Sequence, residues 1–197
     1  MKKSTSLTEL LCKIKDKRRK QGTRHEVSEI LLTVIISTMS GYYGYRAMED
    51  FCSRYENELK EALGNPKHGI PSYSCIRRVL MDLDFNVLSQ KFNQWIRGKV
   101  DIRKREWLQI DGKGMKGTIT NYEKKHQNFV SLVSLFMDRT GIVLNAEVMN
   151  NKEESEINVV RQLIKSLDYK NIILTMDALH CQKKRLSPLQ NRGIIML

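Results

Sequence analysis

No two cysteines in this sequence have the spacing of a zinc knuckle or a disulfide scaffold. The four, Cys12, Cys52, Cys75 and Cys181, stand far apart and form no C-x-x-C. Reduced thiols, mostly buried in a cytosolic protein, are the expectation. Long apolar runs are missing too. The longest, Ile30 to Met39, is about half of the ~20 residues that a bilayer span needs, so it reads as a buried helix and no membrane is expected as a partner. Met1-Lys2-Lys3 has no apolar core or small-residue cleavage site after it, so it is not read as a signal peptide. Internal repeats and low-complexity segments are lacking. Acids are scarce relative to bases: 22 Asp and Glu against 34 Lys and Arg leave a net charge of +12. That excess favours polyanions, mainly nucleic acid or an anionic membrane face.

What is present is an ordinary globular composition, 41% hydrophobic and 28% charged over 197 residues, enough for one domain or two small ones. The first hundred residues read as helical. Leu7, Leu10, Leu11 and Ile14 have helical spacing and lead into a basic cluster, Lys13 to Arg24, broken only by Asp16. The expectation is a short helix with a positive end, with Lys17, Arg18, Arg19 and Arg24 as phosphate contacts; a solvated charged terminus is the alternative. Glu26 to Ser40 is an apolar helix closed by Gly41. Tyr45 to Leu63 is a second, with Met48, Phe51, Cys52, Tyr55, Leu59 and Leu63 along one side, broken at Gly64-Asn65-Pro66. Ser72 is placed to cap a helix holding Arg77 and Arg78, and Asp84 another with Phe85, Leu88, Phe92, Trp95 and Ile96 on one face. A turn followed by a Ser-capped, arginine-bearing helix is one way to read DNA, and also common in small helical domains.

After Arg105 the pattern changes to strands. Trp107 to Asp111, Gln127 to Asp138 and Ile142 to Met149 predict an antiparallel meander. Ser155 to Leu167 predicts a helix, Asn171 to Met176 a fourth strand, and Leu179 onward a further helix. A strand returning through a helix is expected parallel to its neighbour. The fold class is therefore α+β: an all-helical domain over residues 1–104, then an α/β domain over 105–197 in the order β-β-β-α-β-α.

Asp111 and Asp177 each end a predicted strand. If those strands are parallel neighbours, they lie about 4.8 Å apart, and two carboxylates that close repel. A divalent, oxygen-preferring cation such as Mg²⁺ resolves that repulsion and can drive in-line displacement at phosphorus. Lys113 and Lys116 suit a phosphate backbone, and Gly112, Gly114 and Gly117 permit its close approach. Each aspartate alone has a plainer reading, Asp111-Gly112 as a turn and Asp177 as a helix cap. The histidines, His25, His68, His126 and His180, are assigned no chemistry.

The chain resembles the bacterial DDE insertion-sequence transposases of the ISAs type, over about residues 7 to 184. The resemblance rests on Asp16-Lys17-Arg18-Arg19, Gly22-Thr23-Arg24-His25, Gly69-Ile70-Pro71-Ser72 with Arg78-Val79, Ile110-Asp111-Gly112-Lys113, Lys152 with Ser155-Glu156-Ile157, and Asp177-Ala178-Leu179-His180-Cys181-Gln182. It implies a ribonuclease-H-like catalytic domain. It implies that Asp111 and Asp177 are the first two acids of a triad binding Mg²⁺ (or Mn²⁺) for DNA cleavage and strand transfer. It also implies element ends and target DNA as partners, multimeric action and a bacterial cytoplasmic, nucleoid-associated setting. The third acid is a glutamate on a downstream helix, and no acidic residue follows Asp177 here. The expectation is a copy truncated after the second aspartate, inactive on its own, with an unpaired edge on its sheet. Glu156 is the alternative third acid, although capping and the helix dipole explain it equally well. A non-catalytic DNA-binding module, a different metal-dependent nuclease of similar fold and a remnant that does not fold stably are the rival readings.

Overall fold

A computed structural model describes residues 6–19, 21, 23–119, 129–150, 156–165, 169–176 and 193–196. They form a mixed α+β architecture, helical first and β-rich after. The chain divides into two compact units, Met1–Lys91 and Phe92–Leu197.

The helical unit opens with α1 (Leu7–Leu11), held by a capping box in which Ser6 and Glu9 satisfy each other's amides. It ends before the basic cluster, whose described residues are therefore not helical as expected. Asp16 accepts the Arg18 amide at 2.9 Å and its guanidinium at 2.8–3.2 Å. That local turn competes with helix and wins. α2 (Val27–Met39) buries Ile30 and Leu31, and the chain leaves it through Gly41 at φ +86°. The single helix expected over residues 45–63 is two, α3 (Tyr45–Arg54) and α4 (Glu56–Ala62). They part at Tyr55, whose ring turns onto Phe51, 4.9 Å between centroids. Met48, Phe51, Cys52 and Leu59 are buried as the spacing predicts, but Tyr55 is exposed. α5 (Tyr73–Asp82) adds Ile76 and Val79 to the same core. Its Ser72 stands at the N-cap without capping. The Ser72 hydroxyl pairs with that of Ser74, and the Glu49 carboxylate takes the Tyr73 amide instead. Asp84 does cap α6 (Phe85–Arg97), accepting the Asn86 and Val87 amides. Phe85 and Phe92 of its expected apolar face are exposed, whereas Asn93 is buried.

The second unit is a five-stranded sheet in the order β3-β2-β1-β4-β5. β1 (Trp107–Gly114), β2 (Val130–Met137) and β3 (Ile142–Asn150) form the antiparallel meander, turned at Gly141 with φ +68°. α7 (Glu156–Lys165) carries the chain to β4 (Ile173–Met176), which pairs with β1 in parallel as expected. The core joins Leu108 and Ile110 of β1, Val133 and Leu135 of β2, and Leu163 and Ile164 of α7. The helix expected after Leu179 lies outside the described residues. A strand that the expected order lacks, β5 (Ile195–Met196), pairs with β4 in parallel and ends the sheet. The approach to β5 passes Gly193, at φ +67° and packed so closely on the Asn171 side chain that a Cβ would collide with it.

Two polar features fix the second unit. Glu106 is buried at the entry to β1 and binds the Arg139 guanidinium at 3.0–3.2 Å. Those hydrogen bonds hold its carboxyl below the usual range, against an opposing effect of burial. Asn93 of α6 donates to the buried Asn145 side chain and to the Ala146 carbonyl.

Candidate nucleic-acid and metal site

Asp111 lies on β1 opposite Ser134, exposed, immediately after the last β1–β4 pair, Ile110↔Met176. Each member of that pair is followed in sequence by an aspartate. Asp177 itself lies outside the described residues. Strand alternation puts Asp111 on the face opposite the buried Leu108 and Ile110, in line with Gln109 and Lys113. β1 does not turn at Asp111-Gly112, as the sequence suggested, but runs on through Gly114, because β2 keeps pairing with it as far as Ser131. The turn comes at Lys116–Thr118, where Thr118 accepts the Val130 amide at 2.9 Å. Lys113 is thus a strand residue and Lys116 a turn residue, both exposed. A Cβ at Gly114 would meet the Phe129 ring at 3.4 Å, an ordinary van der Waals contact, so packing there does not demand glycine.

A hard divalent cation takes several oxygens, some from carboxylates and the rest from water or substrate phosphate. The exposed Asp111 carboxylate fits such a role as one ligand. Among the described residues no group of three or more His, Cys, Asp or Glu is arranged to hold a metal. Glu156 is the first residue of α7.

The six basic residues of the helical unit expected as DNA contacts fall into three kinds. Arg18 is engaged: besides Asp16, its guanidinium donates to the His25 carbonyl at 2.7 Å. The pair holds the Asp16 carboxyl below its usual range, the Arg18 hydrogen bond being the larger cause. Arg19, Arg24 and Arg78 line a cleft of about 620 Å³, together with Ser72 and Ser74. Lys17 and Arg77 are exposed and outside that cleft; Lys17 lines a smaller pocket of about 180 Å³ beside Asp16, Asp82 and Asp84.

His25, given no role from sequence, forms part of the cleft wall and is only 8% exposed. Its Nδ1 has no hydrogen-bond partner among the described residues; the Glu29 carboxylate stands 4.0 Å away. Burial holds the imidazole below its ordinary pKa, partly opposed by Glu29. The one available sequence signal for His25 was its place directly after Arg24.

Residues 8–96 match the family described as DDE_Tnp_1-associated. The candidate transposase YncI of Escherichia coli O157:H7 is 28% identical over 95% of this chain and 47% of its own length. The H repeat-associated candidate transposase YhhI of E. coli K12 is 28% identical over 95% of this chain and 48% of its own. The chain is a distant relative of bacterial transposase-family proteins. It spans about half the length of these two curated relatives. Among solved structures, the cryo-EM structure of the piggyBac transposase synaptic complex with hairpin DNA overlays 91% of this chain and 44% of that one, at 13% identity and a TM-score of 0.48. Among the described residues, no helix is long and apolar enough to cross a membrane.

Proposed function

We propose that the chain carries the helical module and the first part of a ribonuclease-H-like catalytic sheet of a DDE transposase, of the ISAs kind that its motifs resemble. The observation that carries this is the parallel β1–β4 pair, ending at two residues each followed by an aspartate, in a chain related along 95% of its length to candidate transposases. Asp111 and Asp177 would hold the metal, Mg²⁺ or Mn²⁺. An ion held there would supply activation of a water or 3′-hydroxyl and charge stabilisation at the leaving oxygen. Lys113 and Lys116 attract the phosphate backbone toward Asp111. Two acids leave the set one short, so this chain alone is expected to hold DNA without cutting it.

The test mixes purified chain with element-end DNA and Mg²⁺. No strand cleavage is expected. Cleavage that vanishes in Asp111→Ala would overturn the claim of inactivity while supporting the site. A calorimetric Mn²⁺ titration reads the site without activity: weak binding, weakened further by Asp111→Ala, is expected. Binding unaffected by that substitution would remove Asp111 from the metal site.

A second reading, a DNA-binding module that does no chemistry, is favoured by the basic cleft of the helical unit. A salt-dependent gel shift indifferent to Asp111 and Asp177 would support it.

A further inference from the structure

The cleft between the segment after α1 and the start of α5 is unusual in its charge. Four guanidinium groups contribute to its wall, from Arg18, Arg19, Arg24 and Arg78, and no carboxylate is among the described residues lining it. Only Arg18 is neutralised, by Asp16 from outside the cleft. Arg19, Arg24 and Arg78 make no ion pair among the described residues. Like charges brought together on one wall repel, and an anion between them relieves that repulsion. The Ser72 and Ser74 hydroxyls, 3.2 Å apart, stand on the same wall and can turn their protons outward. The end of α5 contributes less, since Glu49 already occupies the Tyr73 amide. The buried His25 stands in the same wall; its Nδ1 makes no hydrogen bond among the described residues, and the Glu29 carboxylate lies 4.0 Å from it.

We propose that this cleft seats a backbone phosphate of DNA, with Arg24 and Arg78 as its two main ligands, Arg19 at the rim and the serine hydroxyls completing the set. The guanidinium fork suits this task, because two parallel N–H donors match two phosphate oxygens. Arg18, pinned by Asp16 and by the His25 carbonyl, is the fixed part of the wall. The choice of DNA rests on the transposase reading; the choice of phosphate rests on the cleft alone.

The experiment is a fluorescence-anisotropy titration of a short labelled DNA duplex, in EDTA so that no metal contributes, repeated over a salt series. The double variant Arg24→Gln/Arg78→Gln is expected to bind at least roughly tenfold more weakly, with the slope of log K against log salt reduced by about two. Arg77→Gln, on the same helix but outside the cleft, is expected to stay within about twofold. Arg78→Lys keeps the charge and loses the fork, and should bind closer to Arg78→Gln than to the unaltered chain. Equal losses in Arg77→Gln and Arg78→Gln, or full retention in the double variant, would overturn the seat. An equal loss of affinity for an RNA duplex would overturn the assignment to DNA. Thermal melts check that each variant folds, and Arg19→Gln/Arg24→Gln replaces a double variant that does not. Failure of the Mg²⁺ cleavage and Mn²⁺ binding tests would leave this titration unchanged, so the two readings fail separately.

Discussion

The helical unit assembles its candidate chemistry from distant segments, and the sheet unit sets it along a single strand. Arg24 and Arg78 come from segments far apart in sequence and meet only through tertiary packing, in a cleft walled partly by a buried histidine. Asp111 and Lys113 are two residues apart on one strand, and alternation alone brings them to one exposed face. A site assembled from distant segments depends on the core that joins them. A site on one strand depends mainly on strand register. Damage to packing should therefore harm the first more than the second.

The largest effects come from testing that difference in the cores. Ile76→Ala under the cleft and Leu135→Ala in the sheet each empty a fully buried position, and each should cost about 2–5 kcal/mol in a denaturant melt. Ile76→Ala should also weaken DNA binding, while Leu135→Ala should not. Equal effects of the two on binding would break the comparison.

A smaller effect belongs to the Glu106–Arg139 pair. The folded Glu106 carboxyl titrates below its unfolded value. Its stabilisation is therefore fully present above the unfolded carboxylate range, ~4.3, and fades as pH falls through the lower folded value. Glu106→Gln should lower the melting temperature by a few degrees at neutral pH, and the gap from the unaltered chain should close in acid. A gap independent of pH would mean that the pair does not supply it.

The smallest effect is one of reactivity. Burial pushes the Cys52 thiol up to about 11, whereas Cys12 is exposed. At mildly alkaline pH, peptide mapping after brief alkylation should find Cys12 modified and Cys52 intact. Rapid modification of Cys52 in Ile76→Ala alone would sharpen the dependence of the helical unit on its core.

Sequence made the sheet legible because its signals are local and periodic. Leu108 and Ile110 alternate with exposed neighbours, and the run of residues 171–176 followed a helix, so a parallel return was the simple topology. The extent of β1 was misjudged because Asp111-Gly112 has turn chemistry; pairing with β2 overrode it. The break at Tyr55 left no mark in the periodicity, which continues from Met48 to Leu59. The basic residues were visible as a list, but not that Arg18 is consumed by Asp16 while Arg24 and Arg78 share a wall. Nor was His25, whose interest comes from burial and a missing partner rather than from its neighbours in sequence.

The order of the strands also sets a timetable. β1 is the centre of the sheet, paired with β2 on one side and, on the other, with β4, a strand that comes after the whole of α7. The helical unit instead joins many elements close in sequence, α1 with α2, α2 with α3, α3 with α4. Short-range contacts form fast and long-range strand pairing forms slowly. Emerging from a ribosome, the arginine-lined unit can be compact while β1 still waits for its second neighbour, so the proposed phosphate seat would be complete before the aspartate-bearing strand is locked in place.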